Sequence, residues 1–409
     1  MLLKRINLKN KKIAFFYPYS DFATNPVLLE IVNKLNNLGV HIDIFCNKCK
    51  RYSPLSLNYV SQYPFPYQFK LWDGGFTYTV IKTLNYLKYT YLKKNTTVPD
   101  MNYDLIFGVN SGGVIAASEF SNQKTPIIYI SFEIFFWNEL KHEYERTEKK
   151  KEIEATQKAE LIITQDKYRM KLLQGENNFT PDKCFLLPVT PNNQKVLKTN
   201  YIRENYNIPV NKCIVIHSGS FENWTYAEEL IKYIPFLQPD IILFIHTRYI
   251  SGNDRYIKMI KKINSPNVIL STTPLNHVEY EKMIASADIG LCLYKPIKGE
   301  KYQQKNIEYI GLSSGKFSYY MKYGIPVISV KQKTYSMLLE QYKFGINIQS
   351  FNEISNAVNE IKSNIDVFQK QAKKIYSNCL DFDNYWVKLE NKIRELVLKK
   401  RNDEYQNIY

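Results

Sequence analysis

The chain has 409 residues, a hydrophobic share of 44% and a formal net charge of +16. This length suits two domains rather than one, and no apolar run reaches the 18 residues that a transmembrane helix needs. Because the first ten residues lack a signal-peptide core, we expect a cytoplasmic protein.

The charge and the cysteines narrow the possible partners. A net charge of +16 suits nucleic acid, anionic lipid or phosphorylated substrates. Cys46 and Cys49 are close in sequence, but no second pair completes a tetrahedral zinc site. Residues 86–94 interleave tyrosine with lysine. That pattern is typical of a membrane interface or a stacked ligand, and equally of an ordinary helix with lysines on its solvent side.

The first half of the chain predicts an open parallel α/β sheet. The apolar run Lys12–Tyr17, a periodic helix over Val27–Leu38 and a second run over Val40–Phe45 form a βαβ unit. Three further strands are predicted, at Asp104–Asn110, Pro126–Ser131 and Glu160–Thr164. The first of these leads into a predicted loop at 111–113. Residues 137–158 carry glutamate and lysine three or four positions apart, which predicts a solvent-exposed helix.

The same pattern restarts after a segment rich in proline, asparagine and lysine, where we place a linker at about 188–210. Four more strands are predicted, at Cys213–His217, Ile241–His246, Asn267–Leu270 and Ile289–Leu293. A last helix, Asn384–Lys400, has one apolar face. The predicted fold class is α/β, with two Rossmann-like doubly wound domains at 1–195 and 205–375 and a helical segment at 376–409.

Residues 311–330 predict a ligand-binding loop, a short helix and a buried strand. Ser313, Ser314 and Gly315 have small side chains, so their backbone N–H groups can approach a ligand closely. Lys316 stands at the start of the helix, where the free N–H groups and the helix dipole favour an anion. The segment therefore predicts a phosphate site. It is not a Walker loop, which has its strand before the glycines.

This segment resembles a signature of GT-B glycosyltransferases, and more narrowly of the bacterial retaining enzymes known as group 1 or family 4. The positions that fit the signature are Ser314, Lys316, Phe317, Met321, Gly324, Pro326, Val327 and Ile328. In that family the segment holds the donor diphosphate and ribose. Two positions differ, because Tyr319 and Gly311 stand where the family has glutamates.

The resemblance implies two domains that face a cleft, with the C-terminal helix crossing back to the N-terminal domain. It also implies three groups of site residues. For donor binding they are Gly219, Ser220, Leu275, Ser313, Ser314, Gly315 and Tyr319. For acceptor binding they are Asp21 and Thr24, and for catalysis Lys316, Glu133 and Asn110. The family's Arg and Lys after the turn at 218–220 are absent, and Arg248, Lys295 and Lys316 are the candidates to supply their charge. No metal site is expected, and His217 and His246 suit structural histidines at strand ends.

We expect a nucleotide-sugar-dependent glycosyltransferase of the hexosyltransferase type that acts on a cell-surface or lipid-linked glycan, with retention of anomeric configuration. The expected partners are the donor, the acceptor and an anionic membrane surface, without nucleic acid and without a cofactor. Two alternatives remain open. One is a nucleotide-sugar epimerase of the same fold, and the other is a non-catalytic binding or partner subunit.

Overall fold

The computed structural model describes residues 7–20, 22–47, 55–66, 102–121, 125–193, 197–247 and 254–406. The chain divides into two compact units. The first comprises residues 1–188 and 383–409, and the second comprises residues 189–382. Within the described ranges, no helix has the length and apolar character needed to cross a membrane.

The first unit is built on a parallel sheet of seven strands. They are β1 Lys12–Tyr17, β2 His41–Cys46, β3 Val60–Pro64, β4 Leu105–Val109, β5 Ile127–Ile130, β6 Leu161–Thr164 and β7 Cys184–Leu186. Their spatial order is β3-β2-β1-β4-β5-β6-β7. Strands β4, β5 and β6 are buried along their whole length, as expected where helices cover both faces of a parallel sheet.

Four α-helices in the described part of this unit precede the second unit: α1 Pro26–Asn37, α2 Asn110–Phe120, α3 Glu143–Lys158 and α4 Lys167–Asn177. The predicted loop at 111–113 is wrong, because these residues form the first turn of α2. Glycine is needed there, since a Cβ on Gly113 would lie 2.4 Å from the Phe16 carbonyl oxygen. The start of α2 therefore packs directly against the end of β1.

The prediction of a solvent-exposed helix at 137–158 is also wrong in part. Helix α3 buries Lys149 and Glu152 completely, and their charged groups are 3.0 Å apart. The Tyr129 hydroxyl donates to Glu152 at 2.6 Å, and the Asn177 amide donates to it at 3.1 Å. The alternating charges thus face inward on one side of α3, where each finds a partner.

The second unit contains a parallel sheet of six strands. They are β8 Cys213–Ser218, β9 Ile241–His246, β10 Val268–Ser271, β11 Ile289–Cys292, β12 Val327–Val330 and β13 Gly345–Ile348. Their spatial order is β10-β9-β8-β11-β12-β13. In both units the strand order reverses after the first strand, between β1 and β4 and between β8 and β11. Ligands of such sheets bind beyond the carboxyl ends of the strands at this point.

Helices flank this second sheet. They are α5 Tyr201–Tyr206, α6 Ala227–Tyr233, α7 Arg255–Ile263, α8 His277–Ala285, α9 Lys305–Glu308, α10 Gly315–Lys322, α11 Lys333–Gln341, α12 Ile354–Ser363 and α13 Ile365–Ile375. Helix α13 continues into a π-helical turn at Tyr376–Leu380. The segment predicted as a linker at 188–210 is not all irregular, since it contains α5.

The last helix, α14 Asp383–Gln406, belongs to the first unit although it follows the second in sequence. Its apolar side chains Trp386, Leu389, Ile393 and Val397 are buried. Near its end, the Lys400 ammonium donates to the Tyr103 carbonyl oxygen at 2.6 Å. The return of the C-terminal helix to the N-terminal domain, expected from the resemblance, is therefore present within this unit.

Candidate functional site

The loop before α10 is arranged by Ser314. Its hydroxyl caps the helix by accepting a hydrogen bond from the Phe317 N–H at 3.3 Å, and it also bonds the Tyr294 hydroxyl. Ser313 instead donates to the Ile310 carbonyl oxygen at 2.6 Å. A Cβ on Gly315 would meet only Val189, at 3.6 Å. The structure therefore assigns Ser314 to the helix cap and leaves the first N–H groups of α10 free of side-chain bulk.

Lys316 lies on the first turn of α10 with a buried ammonium group. Its Nζ has no hydrogen-bond partner among the described residues, and it lies 5.0 Å from the centre of the Tyr294 ring. Burial lowers the pKa of this ammonium to about 8, and Cys292 opposes the shift in part. An unpaired buried charge is costly. The start of α10 therefore presents a buried ammonium group with no counter-ion among the described residues.

Two other buried polar atoms at the carboxyl ends of neighbouring strands lack partners within the described chain. They are His217 Nδ1, on the next-to-last residue of β8, and Thr247 Oγ1, on the residue directly after β9. Burial lowers the pKa of His217 well below its usual value, and the Lys316 charge adds to the effect. Since His217 Nε2 bonds the Ser220 carbonyl oxygen at 2.9 Å, Nε2 holds the proton and Nδ1 is an acceptor.

Tyrosine hydroxyls form hydrogen bonds to the end of β8. The Tyr320 hydroxyl bonds Ser218 Oγ at 3.1 Å, and Tyr280 donates to the same oxygen at 3.4 Å. The Tyr320 ring covers Gly290, where a Cβ would lie 2.5 Å from a ring carbon. On the neighbouring strand, His246 Nδ1 bonds Ser271 Oγ at 3.0 Å. These contacts fix the end of the sheet on which a ligand would rest.

The other predicted donor residues have diverse positions. Gly219 has a φ of 101°, a backbone conformation that favours glycine. Outside its chain neighbours, no atom lies within 4 Å of where a Cβ would be. Ser220 holds His217 and Thr225 through its carbonyl oxygen. Leu275 packs against the apolar core of the second unit, and Arg248 lies outside the described residues.

Lys295 and Tyr319 differ from the expectation. The Lys295 ammonium lies 2.5 Å from a Glu229 carboxylate oxygen, so its charge already has a partner. Tyr319 is buried, and its ring packs edge-on against that of Tyr280, with the centroids 5.3 Å apart. Tyr319 and Gly311, which stand where the family has glutamates, carry no carboxylate. The roles of Lys295 and Tyr319 in donor binding stay predictions.

In the first unit, Asn110 and Glu133 lie together. Asn110 adopts a φ of 55°, and its side-chain oxygen accepts hydrogen bonds from the Phe132 N–H at 2.8 Å and the Glu133 N–H at 3.1 Å. The two residues therefore meet at the loop after β5. Thr24 lies in a short 3₁₀ turn, and Asp21 lies outside the described residues.

Sequence reasoning missed Arg169 and Thr247. Arg169 on α4 is 1% exposed, and its guanidinium donates to the Phe132 carbonyl oxygen at 2.5 Å. The only sequence sign was its place three residues after the helix cap Asp166, whose carboxylate accepts from the Arg169 N–H at 3.0 Å. Nothing in the sequence distinguishes Arg169 from a surface arginine. Thr247 gave no signal beyond following a predicted strand.

Metal ligands do not cluster in the described ranges. No group of three or more histidine, cysteine or acidic side chains there has the spacing to hold an ion. Cys292 is buried, and burial raises the pKa of its thiol to about 12. The thiols at Cys213 and Cys292 are thus protonated near neutral pH, in a form that binds metals poorly.

Solved structures similar to this one cover nearly the whole chain. HepE of Anabaena, solved with UDP and glucose, has a TM-score of 0.66 at 13% identity and covers 94% of this chain and 98% of its own. WaaG, a glycosyltransferase involved in lipopolysaccharide biosynthesis, has a TM-score of 0.60 at 13% identity, with 93% and 99% covered. The fold of this chain is thus GT-B, as predicted.

A third structure with this fold comes from Listeria monocytogenes and is proposed to be a UDP-N-acetylglucosamine 2-epimerase. Its TM-score is 0.52 at 11% identity, with 89% of this chain and 91% of that chain covered. Residues 258–380 match the family model of the Glucosyltransferase 3-like C-terminal domain. A search of curated protein sequences found no significant match. The GT-B resemblance is confirmed, while the assignment to family 4 stays a prediction.

Proposed function

We propose that this chain is a glycosyltransferase that moves a sugar from a nucleotide-sugar donor to a glycan or lipid-linked acceptor. The GT-B fold supports this proposal, as does the match of residues 258–380 to the Glucosyltransferase 3-like domain. HepE was solved with UDP-glucose, which makes a uridine diphosphate donor the first to test.

The observation that carries the proposal is the unpaired Lys316 ammonium at the start of α10. A nucleoside diphosphate would supply the missing anion. Its oxygens would accept hydrogen bonds from the N–H groups of the first helical turn and from the Thr247 hydroxyl. These donors would bind the leaving diphosphate more strongly as its charge develops, which lowers the barrier to its departure.

The proposal is tested by binding nucleotides and nucleotide-sugars. A screen by thermal shift compares uridine, guanosine and thymidine diphosphates with their sugars, since a ligand that binds the folded state alone raises the unfolding temperature. We expect a uridine nucleotide to give the largest shift and nucleoside monophosphates little. No shift with any diphosphate would contradict a donor site.

We further propose retention of anomeric configuration without a divalent metal. The resemblance of residues 311–330 to the retaining enzymes supports retention, and Lys316 with the helix amides can stabilise the leaving diphosphate without a metal. NMR of the first-formed product, with and without chelator, should show the donor's anomeric configuration and an unchanged rate. An inverted product, or loss of turnover in chelator, would contradict this prediction.

The epimerase remains the second candidate, favoured by the fold shared with the Listeria protein. An epimerase would convert the nucleotide-sugar without any acceptor, whereas a transferase alone with donor would release nucleotide slowly by hydrolysis. Incubation with donor alone, followed by NMR of the sugar, separates the two. A non-catalytic subunit, consistent with Tyr319 and Gly311 in place of glutamates, would give neither product.

Membrane attachment is a separate proposal, supported by the net charge of +16. The interleaved tyrosines and lysines at 86–94 lie outside the described residues. In sedimentation with vesicles rich in anionic lipid, the protein should pellet with the vesicles at low salt. It should stay in the supernatant at 1 M salt, where the Debye length is about 3 Å. Binding that is absent at low salt, or unchanged by salt, would refute the proposal of a charge-driven peripheral protein on the cytoplasmic membrane face.

A further inference from the structure

The loop after β5 in the first unit is held from one side by Asn110. Its side-chain oxygen accepts hydrogen bonds from the N–H groups of both Phe132 and Glu133. Asn110 is itself buried and has a left-handed backbone, which few side chains tolerate. Since its side-chain carbonyl oxygen accepts two backbone N–H groups, Asn110 holds this loop in place.

The other side of the loop is held by buried groups at the start of α4. The Arg169 guanidinium donates to the Phe132 carbonyl oxygen, and its Nε donates to Gln165 at 2.9 Å. The Gln165 amide in turn donates to the Ser131 carbonyl oxygen at 2.9 Å. Buried hydrogen-bond networks of this kind fix a backbone firmly. Residues 131–133 are therefore clamped from both sides.

The clamp leaves the Glu133 carboxyl group unengaged. No side chain in the described parts of the molecule donates a hydrogen bond to its oxygens, and the residue is half-buried. Burial raises the pKa of Glu133 to about 7, and the Arg169 charge opposes the shift in part. A carboxyl on a fixed backbone at the carboxyl edge of a parallel sheet is placed to meet a ligand.

We propose that Asn110 and Arg169 are positioning residues that fix Glu133 so that its carboxylate accepts a hydrogen bond from the attacking hydroxyl of the acceptor. This inference rests on the proposed glycosyltransferase function and names the group of the first unit that orients the acceptor. In the absence of acceptor, water takes the place of the hydroxyl, so slow hydrolysis of the donor reports on the same group.

The test uses the full chain with UDP-glucose as the probe. Asn110→Gly removes the clamping side chain and keeps the left-handed backbone available. Asn110→Asp keeps an oxygen that accepts the same two N–H groups and tolerates the same backbone. Glu133→Gln removes the ionised carboxylate, and Glu143→Gln, on the exposed start of α3, is the matched control.

For Asn110→Gly and Glu133→Gln we expect kcat for hydrolysis to fall at least tenfold, while KM for UDP-glucose and the affinity for UDP change less than twofold. Wild-type kcat should rise with pH through about 7, the pKa to which burial raises the Glu133 carboxyl, and this pH dependence should vanish in Glu133→Gln. Asn110→Asp should keep most of the wild-type kcat. Its rise of kcat with pH should lie at higher pH than in the wild type, because the added negative charge opposes ionisation of Glu133. If Asn110 only stabilised the fold, its substitution would not shift the pH dependence of kcat.

Several results would overturn the inference. These are full kcat in Asn110→Gly, a pH dependence of kcat that survives Glu133→Gln, or a wild type that binds UDP yet hydrolyses no UDP-glucose. Failure of the proposed function looks different, since wild type would then bind no nucleotide at all. Even so, the ionisation of Glu133 remains measurable from thermal unfolding. The wild type should lose stability relative to Glu133→Gln as pH rises from about 4.5 to about 7, because the folded state resists ionising this group.

Discussion

Lys316→Met is expected to weaken binding of uridine diphosphate and at the same time to raise the unfolding temperature of the free protein. The ammonium has no partner in the described chain, and burial holds its pKa at about 8 instead of 10.5. One pKa unit corresponds to 1.36 kcal/mol, so the charge costs the folded state up to about 3 kcal/mol near neutral pH. Methionine fills similar space without that charge.

Loss of the hydrogen bonds from Lys316 to the diphosphate should cost about 1.5–3 kcal/mol of binding, since they involve charged groups. Calorimetry measures the affinity and scanning calorimetry the unfolding temperature. Lys258→Met, at an exposed position on α7, is the control and should change neither. Unchanged affinity in a folded Lys316→Met would remove α10 from the donor site, and lower stability would mean that the ammonium has a partner in the free protein.

The sign of the pH dependence follows from the lowered pKa. Between about pH 8 and 10.5 the folded state holds fewer protons on Lys316 than the unfolded state. The free energy of unfolding of the wild type should therefore rise over that range relative to that of Lys316→Met. The excess stability of the variant should shrink as the pH rises from 8. A difference in unfolding free energy that stays constant across these pH values would contradict a lowered pKa of Lys316.

Glu152→Gln is expected to give the largest loss of stability, about 3–5 kcal/mol, because it leaves the Lys149 ammonium buried without a counter-charge. Lys149→Met in the same chain should recover most of the loss, since glutamine still accepts from Tyr129 and Asn177. Replacing both members of a buried pair is often nearly neutral.

Urea unfolding of the variants measures this effect through the transition of the first unit. The matched control is Lys232→Met, which breaks an ion pair with Glu228 at 2.8 Å on the exposed surface of α6. Its midpoint should barely move, because exposed ion pairs contribute little. Equal effects for the two pairs, or a double variant as unstable as Glu152→Gln alone, would contradict a buried network on α3.

The fold was predictable because parallel strands buried on both faces are continuous apolar runs. Predictions at Lys12–Tyr17 and Ile241–His246 match β1 and β9 residue for residue. The prediction failed where the deciding contact is remote in sequence. Ser111-Gly-Gly113 has the composition of a loop, yet it lies in the first turn of a helix, and its Gly113 is required by the close approach of Phe16.

The candidate site was predictable in part for the same reason. Lys316 was identified because the small residues before it and the apolar strand after it are local features. Arg169 was not, because its role depends on the Phe132 carbonyl oxygen, 37 positions away. Likewise, the spacing of charges in α3 is the same whether Lys149 meets water or Glu152, and only packing decides between them.

The most direct test of the donor site is proton uptake when uridine diphosphate binds at pH 8.5. Calorimetry in two buffers of different ionisation enthalpy gives the number of protons taken up. Because the free Lys316 has a pKa of about 8 and an adjacent diphosphate would raise it, wild type should take up a substantial fraction of a proton and Lys316→Met none. Binding without proton uptake in wild type, or equal uptake in both proteins, would contradict a diphosphate held by Lys316.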